Sequence, residues 1–192
     1  MRDKPPTDAA QACDSNNESG LRLIHEEPMS DNPNDELPGS LLELKSRPLF
    51  VMRLAVRPIL DVGPTPAIHR RIGVVPSGEF AGDRVSGVVL DGGSDWQTVG
   101  RDGSVFLDAR LILQTNDGAM IAMSYRGVRH GAPDVLARLD RGLPVAPSDY
   151  YFRIGPLFET SDARYDWFNR IVAVGIGHRL PTGPVYSLFE IL

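Results

Sequence analysis

The first candidates for chemistry are a carboxylate and a guanidinium two residues apart, Asp108 and Arg110. In a β-strand the side chains at i and i+2 point to one face, so both groups would face the same way. Facing a cavity, they could transfer a proton or bind a carboxylate or phenolate; facing solvent, they would form a structural ion pair. Arg126 is expected near this pair across a hairpin, with solvent exposure as the alternative. We therefore treat Asp108 and Arg110 as candidate catalytic residues and Arg126 as a candidate ligand-binding residue.

A second candidate is Asp95, which follows the turn-forming pair Gly92 and Gly93 and precedes Trp96. A carboxylate beside a large ring at the rim of a cavity loses hydration, which raises its pKa and suits it to general acid or base catalysis. Alternatively, Asp95 caps a turn and Trp96 packs in the core. In the first case Asp95 is catalytic and Trp96 contacts the ligand.

The segment YYFR supplies a third candidate, because strand alternation places Tyr151 and Arg153 on one face and Tyr150 and Phe152 on the other. A phenol and a guanidinium together can bind a carboxylate or stabilise an enolate. The alternative is a tyrosine that packs with its hydroxyl at the rim. Tyr151 and Arg153 are therefore candidate ligand-binding residues, and Asn169 is a weaker candidate of the same kind.

Several common sites have no signature in this sequence. The histidines have no metal-ligand spacing, so no metal site is expected. The pair Gly175 and Gly177 lacks the third glycine of a dinucleotide fingerprint and follows no βαβ unit. Neither a GxSxG elbow nor a GxxxxGK[ST] loop is present. The sequence therefore predicts no cofactor, no serine hydrolase of the usual type and no P-loop enzyme.

The charge distribution argues against nucleic acid as a partner. The chain carries 20 basic and 25 acidic side chains, and residues 1–47 hold five of the former and ten of the latter. The remainder is therefore neutral and has no basic stripe to neutralise phosphates. Without an apolar run of membrane-spanning length or a signal-peptide pattern, we expect no membrane association and a cytoplasmic location. The lone cysteine, Cys13, excludes a disulfide within the chain.

Short β-like segments punctuated by Gly, Pro and Asp begin near Leu49. The predicted strands are 49–57, 67–76, 84–90, 94–99, 104–115, 119–128, 150–160, 170–178 and 184–191. A helix is predicted over 133–140, with Pro133 in its first turn and Gly142 just past its end. A shorter helical turn is predicted over 163–169. Many strands joined by tight turns favour an antiparallel barrel or sandwich.

Residues 1–47 differ in amino-acid composition from the remainder of the chain. They are rich in Asp, Glu, Asn, Ser and Pro, and their apolar content is low apart from LRLI at 21–24. A segment of this composition cannot bury enough apolar surface to offset its conformational entropy. We therefore predict a largely disordered acidic extension over 1–47 and one folded domain over 48–192.

Four segments of the domain resemble, in order and spacing, the bacterial and fungal family DUF3237, also called UPF0311. These segments are GPTPAIHRRIGVVPSGEFAGDRVSGVVLDGGSDWQ (63–97), LDARLILQTNDGAMI (107–121), YYFRIGPLFET (150–160) and YDWFNR (165–170). The resemblance implies an all-β fold, a closed antiparallel β-barrel of about eight strands around a cavity, lipocalin-like in general architecture, with one or two short helices. Because it places LDAR among the family's hallmark motifs, it also favours an inward orientation of Asp108 and Arg110.

Together these features predict a barrel that binds a small hydrophobic or aromatic molecule bearing a carboxylate, carbonyl or phenol group. One hypothesis is an enzyme without a cofactor that performs acid/base chemistry (isomerisation, cyclisation or lactone hydrolysis) on an aromatic or polyketide-like substrate. A second is a carrier barrel without turnover. A third is an oligomeric interaction protein whose barrel is filled by side chains. Catalysis and homo-oligomerisation both stay open at the level of the sequence.

Overall fold

The N-terminal segment before the strands is described only in part. The computed structural model describes Asn32 and residues 37–192. The predicted disorder of 1–47 falls mostly outside these residues, and so does Cys13. A 3-10 turn at Gly39–Leu41 precedes the first strand, and contacts set Glu43–Leu192 apart as a unit of its own.

Eleven strands, all paired antiparallel, lie in the described part of the chain. They are β1 (Ser46–Ala55), β2 (Leu60–Pro64), β3 (His69–Val75), β4 (Ser77–Ala81), β5 (Ser86–Val89), β6 (Gly93–Val99), β7 (Val105–Thr115), β8 (Met120–Gly131), β9 (Tyr150–Glu159), β10 (Ala173–Leu180) and β11 (Gly183–Ile191). Eight of them close a barrel in the order β1, β4, β5, β7, β8, β9, β10, β11 and back to β1. The closed antiparallel barrel expected from the sequence is confirmed.

Three further strands, β2, β3 and β6, extend the barrel wall at one end. The long strand β7 makes this possible, because its C-terminal end pairs with β5 and its N-terminal part pairs with β6. The sequence analysis missed β2 and β4. Both are five residues long and contain a glycine, and β2 has a register shift between Asp61 and Gly63, so neither shows a clear alternating pattern.

Two short helices and a 3-10 turn at Pro147–Asp149 complete the fold within the described residues. Helix α1 (Pro133–Asp140) occupies the predicted range and begins with Pro133 in its first turn. A 3-10 helix spans Ala163–Arg170, and the Asp162 side chain caps it by accepting a hydrogen bond from the Arg164 N–H. No helix in the described ranges has the length and hydropathy needed to cross a bilayer.

The barrel interior is filled by alternate residues of its strands. On β7 the buried set is the predicted apolar face, from Val105 through Leu113 at every second position. At the end of the barrel where β7 turns into β8, Phe168 of the 3-10 helix packs against Phe50 and Phe158 and stacks on Trp167. This end is closed by aromatic rings, and the Arg84 guanidinium, which pairs with the buried Glu190 carboxylate, lies over the Trp167 ring.

Gly87 marks a close approach of two strands in the barrel wall. A Cβ atom at Gly87 would lie 2.0 Å from the carbonyl oxygen of Gln114 on β7. Gly87→Ala is therefore expected to push β5 away from β7 and to cost about 1–3 kcal/mol of unfolding free energy, measured by urea denaturation. Gly155→Ala is the matched control, since a Cβ there meets nothing within 4 Å. Equal stability of the two variants would show that this crossing is not tightly packed.

Candidate functional site

The Asp108 and Arg110 side chains lie on the outer face of β7. Arg110 Nη1 donates to Asp108 Oδ1 at 2.9 Å, and Arg126 is their cross-strand neighbour, with Nη2 4.0 Å from Asp108 Oδ2. The expected inward orientation is therefore wrong, because the neighbouring positions Leu107 and Ala109 fill the interior. The catalytic roles predicted for Asp108 and Arg110 required an inward face and lose that support.

The remaining ligand-binding candidates also lie outside the barrel. Trp96 is half-exposed and donates from its indole N–H to Ser94 Oγ at 3.2 Å. Tyr151 stacks on the ring of His130, and the Arg153 guanidinium lies 4.8 Å from the centre of the Tyr151 ring.

Asn169 has a structural role instead of facing a cavity. Its side chain accepts a hydrogen bond from the Thr160 N–H and donates one to the Thr160 carbonyl oxygen, both at 2.9 Å. These bonds fix the C-terminal end of the 3-10 helix against the residue that follows β9. None of the four candidates Trp96, Tyr151, Arg153 and Asn169 lines the inner cavity described below.

Asp95 is the sequence candidate that does face the interior, at 7% exposure on β6. Its carboxyl group accepts a hydrogen bond from Gln97 Nε2 at 2.9 Å and from the backbone N–H of Asp108 at 3.2 Å. Burial raises the pKa of Asp95 to about 6, although these two bonds and the charge of Arg129 act in the opposite direction. The pKa is raised as expected, but by burial in the barrel and not by Trp96, which is on the opposite face.

A cavity of about 30 Å³ lies beside Asp95 and is lined by Gln97, Tyr125, Arg129 and Tyr186, among other residues. The hydroxyl oxygens of the two tyrosines are 3.4 Å apart, and burial raises the pKa of each phenol above its ordinary value. Both phenols are therefore protonated at neutral pH. One hydrogen bond between two hydroxyls uses one proton, so the second hydroxyl can donate to a molecule in the cavity.

The cavity opens toward a larger vestibule of about 290 Å³, with Ile59, Gln97, Arg129 and Arg179 lining both spaces. Arg71 joins these residues on the vestibule wall. Burial lowers the pKa of Arg129 and of Arg179 from the ordinary arginine value, and their positive neighbours act in the same direction. Three guanidinium groups from β3, β8 and β10 thus meet where the narrow cavity begins.

The Arg129 and Arg71 side chains share a nearby carboxylate, that of Asp140. Asp140 Oδ1, at the end of α1, is 3.5 Å from Arg129 Nη2 and 3.8 Å from Arg71 Nη1. The Nε atoms of Arg71 and Arg129 are buried and have no hydrogen-bond partner among the residues that the structure describes. Buried donors are normally satisfied, so these two indicate a ligand position.

A tyrosine and a histidine fix the backbone at Arg179 by hydrogen bonds. Its backbone N–H donates to the Tyr150 hydroxyl at 2.8 Å, and that hydroxyl lies 2.9 Å from His178 Nδ1. Since the hydroxyl accepts from Arg179, its own proton is free to be donated to the histidine nitrogen. This arrangement fixes the backbone from which the Arg179 side chain reaches the vestibule.

The sequence analysis missed most residues of this site. Tyr125 and Arg129 continue the buried alternation of Ile121 and Met123 along β8, so the spacing signal was present. The predicted strand ended at residue 128, one position before Arg129. Within the described part of the chain, no group of three or more His, Cys, Asp or Glu side chains is placed to hold a metal ion.

The architecture defines a class of protein: a closed β-barrel with one end sealed by aromatic rings and a partly polar cavity toward the other. The chain belongs to the family described as "Protein of unknown function (DUF3237)", whose model matches residues 44–191. The resemblance found in the sequence is thereby confirmed.

The chain is similar to several known proteins. A UPF0311 protein of Rhodopseudomonas palustris is 31% identical over 149 residues, 78% of this chain and 97% of its own length. Its crystal structure covers 78% of this chain and 99% of that chain with a TM-score of 0.76. A β-barrel-like protein of Acinetobacter baumannii is 36% identical, with a TM-score of 0.69, covering 78% of this chain and 97% of that one. A hydroalkoxylation enzyme of Penicillium herquei is 27% identical over 127 residues, 66% of this chain and 70% of its own.

Proposed function

We propose that the barrel is an enzyme acting on small molecules, with Asp95 as its general acid and base. The observation that carries this proposal is a carboxyl group buried beside a cavity with its pKa raised to about 6. Near neutral pH such a group is present in both protonation states, so it can give a proton to a substrate and take one back. An ordinary aspartate, with a pKa near 4, is a much weaker acid catalyst at that pH because almost none of it is protonated.

The reaction class we propose is a cyclising addition of a hydroxyl group to a carbon–carbon double bond. The relative from Penicillium herquei is named for hydroalkoxylation, the addition of a hydroxyl group across a carbon–carbon double bond. Protonated Asp95 would transfer its proton to one alkene carbon, the hydroxyl oxygen would bond to the other, and the oxygen would then return its proton to the Asp95 carboxylate. The atoms and electrons balance without an oxidant or reductant, and the aspartic acid is regenerated.

The sizes of the two spaces support a position for the proposed substrate. The inner cavity of about 30 Å³ accepts one or two water molecules or the reacting tip of a substrate, whereas the vestibule of about 290 Å³ accommodates its body. The free hydroxyl proton of the Tyr125 and Tyr186 pair lies on the wall of the inner cavity and would donate to a substrate oxygen there.

The test uses 2-prenylphenols with and without a carboxylate substituent, incubated with the enzyme in D₂O. We expect ring-closed products with one solvent deuterium on carbon, detected by mass spectrometry. Asp95→Asn is expected to reduce turnover by a factor of about 10²–10⁴, the usual contribution of a general acid or base. Glu79→Gln, an exposed carboxylate on β4, is the matched control and should leave turnover unchanged.

Asp108→Asn separates the inward from the outward site. If this variant loses turnover while Asp95→Asn keeps it, the proposal is wrong and chemistry takes place on the outer face.

The alternative is a carrier barrel, favoured by the unpartnered arginine donors, which could neutralise a bound anion without any reaction. A carrier would return the prenylphenols chemically unchanged. Native mass spectrometry of the purified protein would then show an unaltered bound molecule, together with the number of subunits.

A further inference from the structure

We infer that Arg71, Arg129 and Arg179 form a carboxylate subsite, so that the substrate is an aryl or alkyl carboxylate with its apolar end directed into the barrel. The inference takes its location from the proposed function, because the subsite lies at the entrance to the Asp95 cavity. The substrate class itself follows from charge, burial and hydrogen-bonding capacity at the entrance.

Positive and negative charges at the entrance lie at different depths. The Arg129 and Arg71 side chains are only 10% and 17% exposed, whereas the two carboxylates on the vestibule wall, Asp140 and Asp61, are 53% and 55% exposed. Water therefore screens the carboxylates more than the guanidinium groups. An anion that enters the vestibule meets the acidic rim first and a more strongly positive interior beyond it.

The balance of charge on the vestibule wall favours a ligand with one negative charge. Three guanidinium groups face two carboxylates there, which leaves one positive charge without a partner. Asp61 is moreover engaged with His69 at 2.7 Å and with the Gly63 N–H at 2.8 Å. A bound carboxylate would bring the net charge of the vestibule wall and its ligand to zero, whereas a doubly charged phosphate would make it negative.

The unpartnered donors favour a group with two acceptor atoms. The Nε–H groups of Arg71 and Arg129 belong to different strands, are both buried, and lack any acceptor among the described residues. A carboxylate has two oxygens and could accept from both, as it does in paired arginine interactions. A phenolate or an alcohol offers one oxygen and satisfies one donor well.

The apolar part of the ligand has its own surface. Ile59 and Leu139 line the vestibule together with the arginines, and Leu54, Val75 and Phe152 line the inner cavity. An amphiphilic carboxylate would therefore bury its ring or chain toward Asp95 while its charged group stays at the arginines.

The test compares 4-phenylbutyrate with 4-phenylbutyramide, which differ in the charge and acceptor capacity of one end, by isothermal titration calorimetry at pH 7.5. The wild type is expected to bind the carboxylate at least about tenfold more tightly than the amide, as is typical of hydrogen bonds to charged groups. Arg179→Met and Arg71→Lys should each remove most of this preference. Arg71→Lys keeps the charge and loses the Nε donor, so it remains informative if a charge-removing variant fails to fold.

Arg53→Met, on the exposed outer side of β1, is the matched control and should bind both compounds as the wild type does. Equal affinity of the wild type for carboxylate and amide would overturn the inference, as would an equal loss in Arg53→Met. Inorganic phosphate at the same concentration should not displace 4-phenylbutyrate; displacement would show a general anion site.

One further variant distinguishes this inference from the proposed function. Asp95→Asn should keep the preference for 4-phenylbutyrate while losing turnover of the prenylphenols. If Asp95→Asn turns over normally and the preference still depends on Arg71 and Arg179, the proposed function fails and the carboxylate subsite stands. If turnover depends on Asp95 and the wild type shows no preference, the subsite fails alone.

Discussion

Asp95→Asn is expected to be more stable than the wild type at pH 8, although it loses activity. The pKa of Asp95 is raised from 3.8 in an exposed setting to about 6 in the folded protein, chiefly by burial. The folded state therefore holds this proton more tightly than the unfolded state does. A difference of about two pKa units corresponds to about 2–3 kcal/mol of unfolding free energy.

The sign of the effect follows from proton uptake. Below pH 4 Asp95 is protonated in both the folded and the unfolded state, and its contribution to the unfolding free energy is fully present. As the pH rises through 6 the folded state must also lose the proton, and the stabilisation is lost and stays lost at higher pH. Asparagine carries no charge at any pH, so Asp95→Asn escapes this loss. Gln97 can rotate its amide to present an oxygen to the new side-chain NH₂ group, which keeps the local hydrogen bond.

Urea unfolding at pH 4.5 and at pH 8 measures the effect. The gain in stability from Asp95→Asn should be larger at pH 8 than at pH 4.5 by about 2 kcal/mol. Asp108→Asn, which removes a carboxylate from the outer face of β7, is the matched control. If Asp95→Asn lost the same amount of stability at both pH values, Asp95 would be a structural hydrogen-bond acceptor for Gln97 and not a carboxyl group with a raised pKa.

Strand alternation predicted the two faces of β7 but not which of them lies inside. The face with Leu107, Ala109 and Leu111 is wholly apolar, and the opposite face mixes Asp108 and Arg110 with apolar residues. Burying an ion pair costs desolvation free energy that its own attraction barely offsets, whereas burying apolar groups is favourable throughout. The apolar face therefore takes the interior, and the pattern on β7 by itself favours that outcome over the one inferred from the family motif.

The arginine site could not be found from spacing along the chain. Arg71, Arg129 and Arg179 lie on β3, β8 and β10, and only the register of the closed barrel brings them together. Asp95 was found because the glycine turn before it marks a strand start. The reason given for its raised pKa was partly mistaken, because a ring at the next position in a strand points to the other face. The helix at Pro133–Asp140 was predicted because its start and stop signals are local.

Phe168→Ala is expected to cost about 3–5 kcal/mol of unfolding free energy, the usual range for a buried phenylalanine. The Phe168 ring is 1% exposed, with its centre 4.8 Å from that of Phe158 and 3.9 Å from that of Trp167. These rings seal the barrel end opposite the arginines. Removing the ring leaves a void that neighbours held on three separate elements cannot fill without moving the 3-10 helix.

Phe106→Ala is the matched control for Phe168→Ala, because Phe106 is 52% exposed on the outer face of β7. It should cost less than about 1 kcal/mol of unfolding free energy in the same urea titration.

Phe168 is at the far end of the barrel from the vestibule. The affinity of Phe168→Ala for 4-phenylbutyrate at 10 °C should therefore stay within about twofold of the wild-type affinity, as expected for a distant and independent site. A small stability loss in Phe168→Ala would show that the aromatic end is loosely packed. A large loss of carboxylate affinity in a folded Phe168→Ala protein would show that the two ends of the barrel are coupled, so that closing one end helps to shape the site at the other.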